Sequence, residues 1–185
     1  DISFNWTHFD WSCEYFAKHG SMMPEDGIDI LREFDAVYLG AVGFPGVPDH
    51  VSLWGLLIPI RREFNQYINL RPVRLFDGVP CPLAGKKPGD IDFMVVRENV
   101  EGEYSAIGGI QYEGTEDEVV IQQSVFTRKG VDRVLRYAFE LAKSQGRTRV
   151  SSATKSNGII HSMPYWDNRF ALMAEQYPGI ETDQY

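Results

Sequence analysis

One segment fixes the kind of fold this chain can adopt. Lys129 to Ser144 places Val131, Val134, Leu135, Ala138, Leu141 and Ala142 on one face, and Gly146 stops it. Apolar side chains recurring three and four apart make a helix whose stripe must be buried. A short strand follows at once (Thr148–Ala153), and strand-like runs precede it at 103–112 and 117–127. Strands alternating with helices imply an α/β layer with parallel pairing.

The rest of the chain repeats that alternation. Ile2, Phe4 and Trp6 alternate with polar residues and read as a half-buried strand. Trp11–Lys18 reads as a helix stopped by Gly20, and Pro24 opens a short helix through Phe34. Asp35–Val42 is a second apolar strand that runs into the irregular Gly43–Pro48. Ser52–Tyr67 reads as a helix with Ser52 at its N-cap, and Pro59 should kink or divide it. Ile68–Phe76 is a strand interrupted by Pro72, so Arg71-Pro72 fits an edge or a strand entry. A loop rich in proline and glycine, 77–90, leads to Ile91–Val96, which reads as a buried strand ending at Arg97. Ser162 is expected to cap a helix from Pro164 to Tyr177, and Ile180–Tyr185 is a last strand. The division expected is 1–67 for a first α/β domain and 68–185 for a second.

The arms at 103–127 form a β-hairpin around Glu113–Glu116. It leaves Val119, Ile121, Val125 and Phe126 needing cover. Either a second subunit or the hairpin's own domain supplies it.

Composition excludes several functions. A net charge of −8 opposes nucleic-acid binding, yet local arginines can still govern a pocket. No apolar run is long enough to span a membrane. Cys13 and Cys81 lack metal-type or disulfide spacing and read as free thiols of a reducing compartment, hence the cytoplasm. His8, His19, His50 and His161 show no ligand spacing and read as structural. Gly40-Ala41-Val42-Gly43 lacks the dinucleotide spacing. The chain opens and closes in strand-like alternation and is expected to be the middle of something longer.

Chemistry is expected at the basic side chains on element ends. Arg97 ending a buried strand needs an anionic partner, and a ligand carboxylate would serve. Arg61, Arg62 and Arg71 carry the same planar fork, and three forks converging would suit a dicarboxylate. Tyr104 could move a proton. Lys155 lies in a strand-end loop, where α/β enzymes place their chemistry, and a lysine beside cations acts as a base.

Several segments together resemble the isocitrate/isopropylmalate dehydrogenase family. They are Leu39-Gly40-Ala41-Val42-Gly43, Leu56-Leu57-x-x-x-Arg61-Arg62-Glu63, Asn69-Leu70-Arg71-Pro72-Val73-Arg74, Val96-Arg97-Glu98-Asn99-x-Glu101-Gly102-x-Tyr104 and Thr154-Lys155-Ser156-Asn157. Within the family, 47–55, 78–85 and 153–158 resemble the tartrate dehydrogenase and D-malate dehydrogenase branch.

The resemblance implies an incomplete isopropylmalate-dehydrogenase-like two-domain α/β fold, with the hairpin as a homodimer clasp. It implies NAD-dependent oxidative decarboxylation of a small 2-hydroxy dicarboxylic acid, D-malate or tartrate. Mg2+ or Mn2+ would assist, with K+ as a monovalent cation. Arg61, Arg71 and Arg97 would bind the substrate carboxylates. Tyr104 would protonate the enolate. Lys155 would act from the partner subunit as base, and Asn157 would lie near the nicotinamide or the substrate. The family's metal-binding aspartates would follow Tyr185, so the 185 residues alone are expected to be inactive. Trp54 and Leu57 precede Arg61 at helical spacing and would set the substrate side group. They offer no cation for a third carboxylate, against isocitrate, and bulky Trp54 disfavours an isopropyl group. The alternatives are 3-isopropylmalate dehydrogenase and a non-catalytic dimerisation or binding fragment.

Overall fold

The computed structural model describes residues 2–185. It divides into two compact units, Asp1–Gln66 and Tyr67–Tyr185.

In the first unit α1 (Cys13–His19) starts where the Ser12 hydroxyl accepts the Glu14 N–H at 3.1 Å. It ends at Gly20, whose φ of 76° is cheap only without a Cβ. A short α2 (Gly27–Leu31) and α3 (Asp49–Ser52) follow. Cys13, Met22, Leu31, Leu56 and Ile60 are buried together as the core.

The helix expected from Ser52 begins earlier, with Pro48 at its N-cap and Ser52 inside it, buried. Its division falls where Pro59 demands it. Leu53–Leu57 forms a π-helical turn, and α4 (Ile58–Glu63) carries Pro59 in its first turn. Proline has no N–H to give and its ring crowds the carbonyl four residues back, so a wider turn ahead of it relieves both conflicts. Gly55 in that turn is packed on Met22, where a Cβ would lie 2.7 Å from the Met22 Cγ.

Two expected strands are not strands. Residues 2–6 and 35–42 form no ladder, and the first unit has only one isolated bridge, Phe44 to Val47, among the described residues. Trp6 meets Tyr38 edge-on at 6.1 Å, so the segments touch through rings. A strand is defined by its partner's hydrogen bonds, and alternation in sequence cannot supply a partner.

In the second unit β1 (Ile68–Arg74) and β2 (Asp92–Glu98) pair antiparallel, Arg71 opposite Val95 and Asn69 opposite Arg97. The Leu75 N–H reaches the Ile91 carbonyl at 3.2 Å. Bonded pairs alternate along an antiparallel ladder. Pro72, opposite Met94, therefore falls at a non-bonded pair, and its missing N–H faces the open edge. β3 (Gly102–Gln111) and β4 (Val119–Val125) form the hairpin.

α5 (Arg128–Ser144) is capped by the Thr127 hydroxyl, which accepts the Gly130 N–H at 3.0 Å. Its buried face includes Val131, Val134, Leu135, Phe139 and Ala142. Phe139 stacks on Tyr177 at 4.9 Å and lies 5.5 Å from Phe170. β5 (Arg149–Ser152), α6 (Ser162–Ala174) and β6 (Glu181–Gln184) form a β-α-β unit, and β5–β6 is the parallel pair among the described residues. Ser162 is the first helical residue of α6, not its cap; His161 holds that position without a side-chain bond.

β2 is not a buried strand. Its side chains alternate between exposed (Phe93, Val95, Arg97) and half-buried (Met94, Val96, Glu98). A two-stranded ribbon covered on one face leaves the other open, however apolar the sequence. Val125 and Phe126 are half-buried within the unit, Phe126 against Trp166, while Val119 and Ile121 stay exposed.

Candidate active site

The two arginines of the second unit expected to bind carboxylates share a face because of register. Residues opposite one another, and residues two apart on one strand, point to the same side of a ribbon. Asn69 opposes Arg97, and Arg71 lies two residues beyond Asn69. Asn69, Arg71, Val95 and Arg97 thus project together. Polar bonds tie them: Arg71 Nε donates to Asn69 Oδ1 at 3.1 Å, and Asn69 Nδ2 donates to Asn99 Oδ1 at 3.4 Å.

The premise of a buried Arg97 fails, because the side chain is exposed. Its guanidinium lies 5.8 Å above the Tyr104 ring, a cation–π contact that holds the expected carboxylate binder beside the expected acid. Tyr104 sits where the β3–β4 register shifts between Gly102 and Ile107. Such a bulge re-aims side chains. Ala106 pays for it with a φ of 55°. The Ser105 hydroxyl replaces a missing ladder bond by accepting the Val125 N–H at 3.3 Å, while donating to the Gly102 carbonyl at 2.6 Å.

The turn between Arg97 and Tyr104 is held by two carboxylates. Glu98 Oε2 accepts the N–H groups of Val100 (2.9 Å) and Glu101 (2.7 Å). Glu98 Oε1 is buried without a hydrogen-bond partner. Burial pushes its carboxyl above the usual glutamate range, against the pull of those backbone donors, and the Glu101 charge adds to the rise. Glu101 reaches the other way, to Thr127.

A cavity of about 640 Å³ lies between β2, α5 and β5. Arg97, Glu98, Glu101 and Tyr104 line it, as does Thr154, the residue before Lys155. Thr154 donates to Asp167 Oδ1 at 2.9 Å, and the Trp166 indole donates to the Ser152 hydroxyl at 3.2 Å, so α6 holds the strand end. Lys155 and Asn157 are exposed in the turn beyond, where the Gly158 N–H closes on the Lys155 carbonyl at 3.0 Å.

The remaining expected residues belong to the first unit. Trp54 and Leu57 sit in the π-helical turn, and Arg61 and Arg62 in the last turn of α4. Helical spacing aimed Trp54 at Arg61. The wider turn instead places the Arg62 guanidinium 5.0 Å above the Trp54 ring.

Among the described residues no three His, Cys, Asp or Glu side chains gather to hold a metal ion. Gly40–Gly43 opens no helix, so it cannot act as a phosphate-binding strand-to-helix turn. No helix among the described residues is long and apolar enough to cross a membrane.

Residues 1–185 match the sequence profile described as isocitrate/isopropylmalate dehydrogenase from end to end. This chain belongs to the isocitrate/isopropylmalate dehydrogenase family. It is 65% identical over 185 residues to D-malate dehydrogenase [decarboxylating] of Escherichia coli (strain K12), covering 99% of this chain and 51% of that protein. It is 61% identical over 178 residues to tartrate dehydrogenase/decarboxylase of Pseudomonas putida, covering 95% and 49%. The crystal structure of isocitrate dehydrogenase from Methylococcus capsulatus superposes with a TM-score of 0.78 at 27% identity, over 94% of this chain and 49% of that one. The chain spans about half the length of these family members, and its α/β fold is correspondingly an incomplete form of theirs.

Asn69, Asn99, Glu98 and Glu101 are the site residues that the sequence reading missed. One signal was available: Asn69 and Arg71 are two apart on one strand and must share a face. The roles of Glu98 and Glu101 depend on a turn and a distant cap, which no local pattern reveals.

Proposed function

We propose that the polypeptide carrying this chain catalyses oxidative decarboxylation of a small 2-hydroxy dicarboxylic acid, D-malate or tartrate. NAD would accept the hydride, and Mg2+ or Mn2+, with K+ in support, would polarise the substrate oxygen. The observation that carries this reading is Arg71 and Arg97 on one ribbon face with Tyr104 under Arg97. Two guanidinium forks on one side suit a ligand with two carboxylates, and neither can lose its proton to it.

In this reading Arg61, Arg71 and Arg97 hold the carboxylates. Tyr104 delivers a proton to the carbon that carbon dioxide leaves. Lys155 of a second subunit would take the C2 hydroxyl proton, and Asn157 would lie near the nicotinamide or the substrate. Trp54, with Leu57, walls the side-group pocket. The exposed apolar side chains of the arm, Ile107, Ile110, Val120 and Ile121 among them, support its role as a homodimer clasp, since water-exposed apolar strands gain most by pairing. The free thiols Cys13 and Cys81 support a cytoplasmic location in this reading.

The test is an assay of the complete polypeptide with D-malate, meso- and L-tartrate and 3-isopropylmalate, using NAD and Mn2+. The reading expects a kcat/KM for D-malate or a tartrate well above that for 3-isopropylmalate. Comparable values for D-malate and 3-isopropylmalate would overturn the substrate assignment. The 185-residue chain by itself is expected to show no turnover, and measurable turnover would overturn that part. No activity in the complete polypeptide would favour a non-catalytic dimerisation fragment.

A further inference from the structure

The connection from Arg97 to Tyr104 is short and sits at an irregular place in its hairpin. The β3–β4 register shifts between Gly102 and Ile107, so Tyr104 lies in an irregular stretch between two regularly paired points. Its aim depends on how firmly the Gly102 end is held.

That end is held by a relay. Glu101 Oε2 accepts the Thr127 N–H at 2.9 Å, and Glu101 Oε1 accepts the Thr127 hydroxyl at 2.7 Å. The same hydroxyl accepts the Gly130 N–H at 3.0 Å, so the latch runs into the first turn of α5. A carboxylate is favoured there by the helix dipole. The sequence keeps the space open, because a Cβ on Gly130 would collide with the Glu101 carboxylate. On the near side, Glu98 holds the Glu101 N–H at 2.7 Å. Both Glu101 carboxylate oxygens are engaged within the fold, which suits a holding role rather than a reacting one.

We propose that Glu101 is a positioning residue for Tyr104: by latching the 98–102 turn to the Thr127 cap of α5 it sets how the Tyr104 hydroxyl meets a substrate gripped by Arg97. This rests on the reading of Arg97 and Tyr104 proposed above.

The test is a double-mutant cycle in the complete polypeptide with D-malate. Glu101→Ala lowers kcat by about 10- to 100-fold with little change in KM, the scale of a misplacement near 1 Å. Glu101→Gln, which keeps an acceptor for the Thr127 hydroxyl, recovers part of that loss. In a Tyr104→Phe background, Glu101→Ala costs less than about twofold more, because the group it aims is already gone. Tyr104→Phe with unchanged kcat would overturn the role assigned to Tyr104. A slowed Tyr104→Phe with a fully multiplicative Glu101→Ala would overturn the positioning role and leave the proposed function standing.

An activity-independent readout uses the 185-residue chain. The Arg97 Nε–H resonance lies near the Tyr104 ring and moves in Glu101→Ala, returning toward its original position in Glu101→Gln. An unmoved resonance would sink the proposal. Should Glu101→Ala fail to fold, Glu101→Gln and its Tyr104→Phe combination carry the same cycle.

Discussion

The joint between α5 and α6 offers a prediction with a magnitude and a sign. Arg169 Nε and Nη2 donate to the two oxygens of Asp132 at 2.6 and 2.8 Å. The side chains are 15% and 25% exposed, so solvent screens the pair only in part. Burial works against the Asp132 charge, but the Arg169 fork outweighs it, with Arg128 at 3.5 Å assisting, and the carboxyl is held below the usual aspartate range.

Arg169→Met keeps most of the packing volume and removes the fork. Two charge-assisted bonds at a net ~1.5 kcal/mol each would give ~3 kcal/mol. Residual support from exposed Arg128 and partial exposure reduce the expected loss to about 2 kcal/mol at pH 7. The depressed folded-state value makes the stabilisation present above the unfolded aspartate value, and it fades as pH falls through the folded one. Urea denaturation of parent and variant, followed through Trp166, should therefore show a gap at pH 7 that closes in strong acid. A gap of equal size at pH 7 and pH 2 would refute the electrostatic account and point to packing alone.

Three further outcomes follow from the same structure. Phe139→Ala should cost about 3–5 kcal/mol in the second unit, read by chemical denaturation, because Phe139 is fully buried between Phe170 and Tyr177. Gly130→Ala should destabilise by about 1–2 kcal/mol through displacement of Glu101, although alanine ordinarily favours a helix. In a Glu101→Ala background the same change should become neutral or stabilising, and no reversal of sign would exclude the clash as the cause. Thr154→Val should cost about 1 kcal/mol and speed hydrogen exchange of the Gly158 and Ile159 amides, which close on the Lys155 carbonyl.

Much of the second unit was legible because its signals are local. The α5 stripe needs only a period of 3.6 residues, and Pro72 names its own edge by lacking a donor. The division at Pro59 was likewise written in the chain, though not its form as a π-helical turn. Where reading failed, the missing term was a partner. Residues 2–6, by alternation, and 35–42, by apolar character, read as strands yet form no ladder among the described residues. β2 is apolar like a buried strand, yet one of its faces is open.

The candidate site divides the same way. Sequence by itself determined which groups are available: arginine forks that cannot surrender a proton, a tyrosine that can, and a lysine just past a strand. It also determined membership of a family, through the spacing of those residues. Tertiary structure decided what stands beside what. The β1–β2 register puts Arg71 and Arg97 on one face, and a bulge brings Tyr104 under Arg97. The cap of α5 fastens Glu101 across 26 residues of chain. Residue type fixes what a side chain can do in any surroundings. Proximity between residues far apart in sequence is set by pairing and packing, which belong to the whole fold.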